Sequence, residues 1–250
     1  MVVYAIFIAI SFALIGYLLG SILFGVIISK ISQINLRKTG SQNIGATNVS
    51  RTLGKRFGIL VSLLDALKAY LGIILCWIIF RYSIFQWFSD DVHKLFPLIY
   101  ISGIFTVLGH CWPVQYLIKL FASKFDFEKA KVKSGGKGVA CSGGTLFAIS
   151  PWLGLIALFT FIIILLICRY VSLGSMICML LPAFAVFIPR IAYLYLFENN
   201  LLYNLNYVYT PTLTIKVWLM GIILCNSIIV IIRHSSNIKR LINREEKRFI

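Results

Sequence analysis

Three short polar segments carry the groups in this chain that could bind a phosphate or a similar anion. The first segment, residues 39–55, reads TGSQNIGATNVSRTLGK and combines small polar residues with Arg51. Glycine lets a backbone approach a ligand closely, and a guanidinium presents a planar, permanently charged fork to a phosphate. A turn followed by a helix N-cap explains any single Ser or Asn equally well. The number of polar groups beside one arginine nevertheless favours a binding segment.

The second segment, residues 134–144, reads SGGKGVACSGG. It is not a Walker A loop, because Gly138 follows Lys137 where that motif requires Ser or Thr. Glycine N–H groups that precede a helix, together with one lysine, still form a plausible anion site without a nucleotide-binding fold. A flexible linker is the alternative.

The third segment, residues 233–246, reads RHSSNIKRLINREE. If it is helical, Asn237, Arg240 and Arg244 share one face, and His234 lies a turn earlier. This face would present amide and cationic groups to an anion. A basic tail that touches anionic lipid is the alternative.

A few polar residues lie inside or between apolar stretches. Asp65 and Lys68 are three positions apart, and ionisable residues at membrane depth are costly and often functional; a structural ion pair is equally consistent. Ser172 lies in RYVSLGS between two apolar stretches, where a simple turn is the alternative. His110 precedes Pro113, and a lone histidine there is more often a core residue than a catalyst. The motifs HExxH, GxSxG and HxxxxD are all absent, so no common catalytic motif is present.

Composition places these groups in a membrane protein. Hydrophobic residues make up 60% of the chain and its mean hydropathy is +0.91. A transmembrane helix needs about 20 consecutive apolar residues, and the chain has several stretches of about that length. We predict an all-α integral membrane fold, a polytopic helical bundle with a single domain over residues 1–250. The candidate crossing stretches are residues 2–29, 57–80, 95–118, 145–168, 171–189 and 213–232.

The distribution of charge predicts the topology. The net charge is +16, and the basic residues gather in residues 30–56, 119–137 and 233–250. The positive-inside rule then places the N-terminus outside and the C-terminus in the cytoplasm. An even number of crossings must follow residue 144. We predict four there, including a short helix within 190–205, and seven transmembrane helices in all, some of them short or broken.

The same distribution bounds the partners. Basic loops at one membrane face favour anionic lipid or a phosphorylated substrate, and no nucleic acid is expected. Six scattered cysteines without a CxxC pair predict free thiols. We therefore expect no disulfide, no metal site and no cofactor.

With these motifs in place, the chain resembles the bacterial acyl-phosphate:glycerol-3-phosphate acyltransferase family, PlsY, over nearly its whole length. The first segment is similar to the family motif GSGNIGATNVLRTLGK, with Gln42 in place of a glycine and Ser50 in place of a leucine. GHCWPV together with GGKGVA is similar to the second motif. RHSSNIKRLINREE is similar to the third, in which Glu246 matches a terminal glutamate.

Three departures from the family pattern bear on the loop geometry. The family keeps its histidine and its GGKG loop much closer together than His110 and Gly135, which are 25 positions apart here (135 minus 110), with ASKFDFEKAKVKS largely extra. Ser134 stands where the family usually has lysine, and Arg244 stands where it usually has glycine.

The resemblance implies transfer of a fatty acyl group from acyl phosphate to the sn-1 hydroxyl of glycerol 3-phosphate, which gives lysophosphatidic acid and phosphate. Acyl phosphate is an activated mixed anhydride, so the enzyme needs orientation and charge stabilisation rather than a covalent nucleophile. The expected partners are acyl phosphate, glycerol 3-phosphate and membrane lipid. The expected location is the bacterial inner membrane, with the active site at its cytoplasmic face.

Within that reaction we expect three groups of residues. The phosphate of acyl phosphate would be held by Lys137, Gly135, Gly136, Gly138 and Ser41. Glycerol 3-phosphate would be held by Arg51, His234, Arg240 and Lys68. Asn237 and Ser172 would orient the attacking hydroxyl, acting as catalytic residues together with Lys137. Further substrate-binding candidates are Asn43, Gly45, Thr47, Asn48, His110 and Glu246.

No side chain is a convincing base, so the acyl-phosphate group itself is expected to take the proton. The alternative function is transport of a phosphorylated anion, for which the polar groups would lie near the bilayer midplane on broken helices. A scaffold whose basic loops only hold anionic lipid is a third possibility.

Overall fold

The structure, a computed structural model, describes residues 2–84, 90–132, 134–188 and 212–248. All regular structure within these ranges is helical, as predicted. A π-helical turn (Phe80–Ile84) and a 3₁₀ helix (Asp90–Tyr100) lie between the fourth and the fifth α-helix. The α-helices are α1 (Val2–Gly20), α2 (Phe24–Ile31), α3 (Ala46–Leu53), α4 (Lys55–Ile79), α5 (Ile101–Cys111), α6 (Val114–Ala122), α7 (Phe127–Lys131), α8 (Val139–Ile149), α9 (Pro151–Cys168), α10 (Val171–Ile177), α11 (Leu181–Ala185), α12 (Leu213–Arg233) and α13 (Ser235–Ile242).

Several of these helices are long and apolar enough to cross a membrane. Four such segments lie in the described residues, and a bent pair, Leu95–Cys111 with Val114–Ala122, makes up to five. The four are Val2–Ile31, Lys55–Tyr82, Pro151–Cys168 and Leu213–Arg233. The chain is therefore a multi-pass membrane protein. The seven crossings remain a prediction, and the short helix expected within 190–205 lies outside the described residues.

The apolar stretch 145–168, which we expected to form one helix, is broken at Ser150. Helix α8 ends at Ile149 and α9 begins at Pro151, because proline has no N–H to continue the helical ladder but fits the first helical position. The predicted stretches 2–29 and 171–189 are also interrupted, between α1 and α2 and between α10 and α11. Proline again lies at the start of α11.

The break turns the chain back towards its starting point. Lys137, just before α8, contacts Asn237, and Ser172 in α10 contacts Glu246, which itself bonds Asn237. Helices α8 and α9 therefore lead away from the contact between Lys137 and Asn237, and α10 begins beside that contact again.

Small residues let the helices of the bundle pack closely. A Cβ on Gly16 or Gly20 of α1 would lie 2.1 or 2.2 Å from the backbone oxygens of Ser102 and Thr106 in α5. Close backbone approach at small residues is a usual way for helices to associate in a bilayer, where lipid offers no hydrophobic drive. The main apolar core lies between these helices and includes Phe12, Ile73, Ile99, Tyr100, Ile149, Leu153, Leu219 and Ile223.

Candidate functional site

The glycine loop, residues 134–138, is closed at its base by two backbone hydrogen bonds. Gly135 N–H donates to the carbonyl of Cys111 at 2.9 Å, and Gly136 N–H donates to the carbonyl of His110 at 3.1 Å. The guanidinium of Arg37 donates to the carbonyl of Ser134 at 2.8 Å. The chain thus leaves at Cys111 and returns beside it at Gly135.

These two backbone hydrogen bonds, which we call the neck of the loop, explain how the extra residues between His110 and Gly135 are accommodated. They contain α7 and follow directly on α6, and the two helices pack around their own small cluster of Tyr116, Leu120 and Ala130. The insertion is therefore a separate excursion, and the glycine loop keeps its contact with the end of α5.

The neck also changes the role of Gly135 and Gly136. We expected their N–H groups to face a phosphate, but both groups are bonded to α5. Among the described residues, no acceptor bonds the N–H groups of Lys137 and Gly138, which lie at the start of α8. Gly138 has φ +82°, a left-handed conformation that favours glycine, and it is the N-cap of that helix. The backbone N–H groups that are free to meet an anion are therefore those of Lys137 and Gly138, two residues later in the loop than expected.

Replacing Gly135 by alanine should open the neck, because the new Cβ would lie 1.7 Å from the carbonyl oxygen of His110. A displacement of about 1 Å near a reacting centre can cost about 100-fold in rate, and we expect a loss of that order in kcat/KM. The matched control is Gly143→Ala in α8, where nothing lies within 4 Å of the added Cβ. Equal turnover of the two variants in a reconstituted assay would contradict this.

Arg233 supports the loop from the opposite side, and it was missed in the sequence. Its Nε donates to the carbonyl of Gly136 and its Nη2 to the carbonyl of Gly135, both at 3.1 Å. The guanidinium also lies 5.2 Å from the ring of Trp112. An arginine directly after an apolar stretch is the ordinary signature of a cytoplasmic helix end, so its position alone did not single it out.

The carboxylate of Glu246 connects three elements at the site. Asn237 Nδ2 and Arg240 Nε, both on α13, donate to it at 2.6 Å. Ser172 Oγ donates at 2.8 Å from α10. Lys137 Nζ in turn donates to Oδ1 of Asn237. The second and third polar segments and Ser172 thus meet in one cluster.

A left-handed turn brings Glu246 to this position. Helix α13 ends at Ile242, so Arg244 does not share the face of Asn237 and Arg240 as expected. Arg244 has φ +60°, and the bonds Glu245 N–H to Arg240 O (2.7 Å) and Arg244 N–H to Leu241 O (3.2 Å) form a Schellman motif. Glycine is the usual residue at this position, which accounts for the family glycine that Arg244 replaces.

Cations dominate the electrostatics around Lys137. Burial lowers its pKa to about 8, with further lowering from Arg240, Arg233 and Arg51 and opposition from Glu246. Burial would raise the pKa of Glu246, but hydrogen bonds from Asn237, Arg240 and Ser172 outweigh it and lower that pKa. Three arginines and one glutamate therefore act electrostatically on Lys137, which leaves an excess of positive charge there for an anion.

His234 lies beside this cluster as a neutral ring. Burial, and then the charge of Lys137, lowers its pKa to about 4. Its Nδ1 lies 2.8 Å from the carbonyl of Val230, so that nitrogen carries the proton, since a carbonyl can only accept. His234 thus offers a hydrogen-bond acceptor at Nε2 and no charge, so it would contact a hydroxyl rather than the phosphate of the glycerol 3-phosphate that we expected it to help hold.

The first segment is folded around Asn48. Its amide Nδ2 donates to the carbonyls of Leu36 (3.2 Å), Thr39 (3.1 Å) and Asn43 (2.8 Å), and its Oδ1 accepts from Ser41 N–H at 2.9 Å. Asn48 is buried and fully used in these bonds, so it shapes the loop rather than facing a substrate as we expected.

The neighbouring candidates divide by exposure. The side-chain oxygen of Asn43 accepts from the N–H of Gly45, the N-cap of α3, so both residues shape the start of that helix. Ser41, Thr47 and Arg51 are exposed and remain free to meet a ligand. Arg51 is also the residue of this segment that acts electrostatically on Lys137.

Asn48→Ala is expected to destabilise the fold by about 3 kcal/mol, because the two amide hydrogens and the oxygen of Asn48 serve four partners and each of these three groups contributes roughly 1 kcal/mol net. The thermal unfolding midpoint of the detergent-solubilised protein measures this. Asn243→Ala, which removes an exposed amide, is the matched control. A midpoint equal to that of the control would refute the structural role of Asn48.

Lys68 and His110 lie buried behind the glycine loop. Lys68 Nζ contacts the carbonyls of Gly20 (3.0 Å) and Ile22 (2.6 Å), Asp65 Oδ1 (2.9 Å) and His110 Nδ1 (3.0 Å). With four partners, this ammonium has no donor left for the phosphate contact we expected of Lys68.

The buried group supports the loop from within. A Cβ on Gly136 would lie 2.2 Å from Nε2 of His110, so the imidazole forms the floor of the glycine loop. Asp65, His110 and Cys141 also place ligand atoms within 4.8 Å of one another, a spacing that could suit a metal ion. The ammonium of Lys68 already supplies the positive charge there.

Comparisons with known proteins identify the family of this chain. The family model described as "Glycerol-3-phosphate acyltransferase" matches residues 10–244. A protein of that name from Malacoplasma penetrans is 37% identical, covering 96% of this chain and 94% of its own length. Its counterpart from Aquifex aeolicus is 34% identical, covering 96% and 99%.

Two solved structures share the fold. One is the glycerol 3-phosphate form of PlsY (YgiH), described as an integral membrane glycerol 3-phosphate acyltransferase. It is 30% identical with a TM-score of 0.69, covering 97% of this chain and 96% of that one. The lysophosphatidic acid form of the same protein has a TM-score of 0.68 at 30% identity, covering 97% and 95%. The chain described here therefore belongs to the glycerol-3-phosphate acyltransferase family of integral membrane enzymes.

Proposed function

We propose that this enzyme uses acyl phosphate as donor and acylates the sn-1 hydroxyl of glycerol 3-phosphate at the cytoplasmic face of the bacterial inner membrane. The products are lysophosphatidic acid and phosphate. The observation that carries the proposal is the cluster around Lys137, which bonds Asn237 and lies in the combined field of Arg240, Arg233 and Arg51, opposed by Glu246. Both substrates carry phosphate, so the site must accommodate two anions. The solved relative described in a lysophosphatidic acid form supports the product.

The cluster divides the work of the reaction. Lys137, with the N–H groups of Lys137 and Gly138 at the start of α8, binds the phosphate of the donor. Arg51 and Arg240 bind the phosphate of glycerol 3-phosphate, since a guanidinium suits a phosphate geometrically. Ser172 and Asn237, held by Glu246, orient the attacking hydroxyl. Preorganised donors of this kind stabilise charge that develops in the transition state.

Bond changes balance without a covalent intermediate on the protein. The sn-1 oxygen bonds the acyl carbon, the bond from that carbon to the phosphate oxygen breaks, and the hydroxyl proton passes to the departing phosphate. With a pKa of about 4, His234 is a weak proton acceptor. Its Nε2 instead accepts a hydrogen bond from a substrate hydroxyl and so helps to align it.

Transport of a phosphorylated anion is disfavoured by where the polar groups lie. Lys137 precedes α8, Ser172 lies in the first turn of α10, and His234 directly follows α12. These helix ends meet in one cluster beside the basic segments that the positive-inside rule assigns to the cytoplasmic face, whereas transporter sites lie near the bilayer midplane.

The deciding experiment uses purified enzyme in phospholipid vesicles with an acyl phosphate. The proposal expects phosphate release that depends on glycerol 3-phosphate, with lysophosphatidic acid detected by mass spectrometry in equal amount. Acylation with an acyl thioester but not with acyl phosphate would overturn the donor assignment. Uptake of labelled glycerol 3-phosphate without phosphate release would instead support transport.

The pH profile gives an independent check on Lys137. Protonated Lys137 binds the donor phosphate, so kcat/KM should be constant below its pKa and fall as pH rises through about 8. Each unit above that point should lower kcat/KM about tenfold. Lys137→Arg should shift the fall in kcat/KM to higher pH, because a guanidinium stays charged. His234 stays neutral over this range and adds no limb of its own. A flat profile across this range would contradict the role of Lys137.

A further inference from the structure

The α6–α7 pair, residues 114–132, exposes an apolar stripe that the acyl-transfer site does not use. Ile118, Phe121 and Phe125 are 63%, 62% and 58% exposed. They follow one another at spacings of three and four residues, and the rings of Phe121 and Phe125 lie edge to face with centroids 5.2 Å apart. Phe127 and Val132 of the same pair are also exposed. Such a stripe on a water-facing loop would be costly.

The pair is continuous with a membrane-embedded helix. Helix α6 begins three residues after α5 ends and departs from its direction by 56°. This bend carries the chain out of the bundle axis close to the membrane surface. The inner side of α6, with Tyr116 and Leu120, is already occupied by Ala130 of α7, so the stripe faces away from the protein.

Lysines surround the stripe. Residues 114–132 contain four lysines and two acidic residues, and all four lysines are exposed. Lys129 pairs with Asp126 and Lys131 with Glu128. In the described part of the chain, neither Lys119 nor Lys124 has an acidic partner. Apolar residues flanked by unpaired lysines match a surface that lies among lipid headgroups with its apolar side in the acyl region.

We propose that the α6–α7 pair is an interfacial membrane anchor that binds an anionic lipid leaflet. Ile118, Phe121 and Phe125 enter the acyl region, and Lys119 and Lys124 contact anionic headgroups. The glycine loop follows this pair directly, so the anchor lies against the leaflet beside the loop, while the neck keeps the loop itself on α5. The lysines and the continuity with α5 favour lipid over a second copy of the chain.

Depth measurements on the full-length enzyme test the proposal. A nitroxide label is attached at Phe121→Cys, and in a second variant at Ile118→Cys, in a Cys168→Ala/Cys225→Ala background. The matched control is Glu128→Cys on α7. In vesicles of phosphatidylcholine and phosphatidylglycerol, the ratio of collisions with oxygen to collisions with a water-soluble nickel complex should be at least about threefold higher at 121 and 118 than at 128. Equal ratios at all three positions would overturn the anchor.

The lipid charge tests the lysines separately. Adding phosphatidylglycerol to phosphatidylcholine vesicles should raise the oxygen ratio at 121, and Lys119→Gln/Lys124→Gln should abolish that rise while leaving acyl transfer unchanged. The absence of any effect of phosphatidylglycerol would overturn the preference for anionic lipid. Strong dipolar coupling between labels on two protein molecules would show that a second copy covers the stripe and would overturn the proposal.

Discussion

Lys137→Met should lower kcat/KM with acyl phosphate by about 1,000-fold, the upper range for removing one preorganised donor from a reacting centre. Lys137 is mostly buried, and it contacts Asn237, so its charge is directed into the cluster rather than into water. Methionine keeps the length and apolar stem of the side chain and removes only the ammonium. The loss should therefore appear without a change in thermal unfolding midpoint.

The matched control for this charge is Lys239→Met, because Lys239 is exposed on α13, the helix that carries Asn237. Its turnover should equal that of the parent. Near-parental turnover of Lys137→Met would remove the glycine loop from the centre of the mechanism. A loss confined to KM for glycerol 3-phosphate would assign Lys137 to the acceptor rather than to the donor.

Glu246→Gln should lower kcat/KM by about 100-fold, the cost of a displacement of about 1 Å at a reacting centre. The carboxylate accepts from Asn237, Arg240 and Ser172 at once. A glutamine offers one oxygen in place of two and turns an N–H₂ group towards other donors. Removing the charge also takes the counterion from Arg240 and removes the negative charge that opposes the arginines at Lys137.

Glu245→Gln is the control for Glu246→Gln, since Glu245 is the adjacent residue and is exposed. We expect parental activity from it. Glu246→Asp keeps the charge on a shorter stem and should recover part of the loss, which a purely structural defect at the C-terminus would not allow. Equal activity of the two glutamine variants would show that Glu246 does not organise the site.

The membrane fold, and the set of residues that meet around Glu246, could be predicted because they rest on local signals. Long apolar stretches specify membrane helices, and the ordered motifs named Lys137, Ser172, Asn237 and Glu246 before any coordinates. A sequence motif does not show how many hydrogen-bond partners each polar side chain has in the folded protein. Asn48 and Lys68 looked like ligand contacts because they are polar, yet burial gives each of them four partners within the chain.

The left-handed turns and the helix break could be predicted from glycine and proline positions. Gln42 and Arg244, which replace family glycines, have φ of +59° and +60°. A left-handed conformation disfavours residues with a Cβ, so the family glycines mark the same two turns. Pro151 was the corresponding signal for the break between α8 and α9. The role of Arg233 had no such signal, because it depends on two carbonyls nearly 100 residues away in the chain.

Two hydrogen bonds join residues 110–111 to residues 135–136. The geometry of this junction does not depend on the length or the sequence of the residues between its ends. Chain length on the far side of such a junction can change during evolution without displacing the residues on the near side. It also gives protein engineers a fixed mounting point. A fluorescent domain or an epitope spliced into the connection between α6 and α7 would sit outside the bundle, with the neck still holding Lys137 in place.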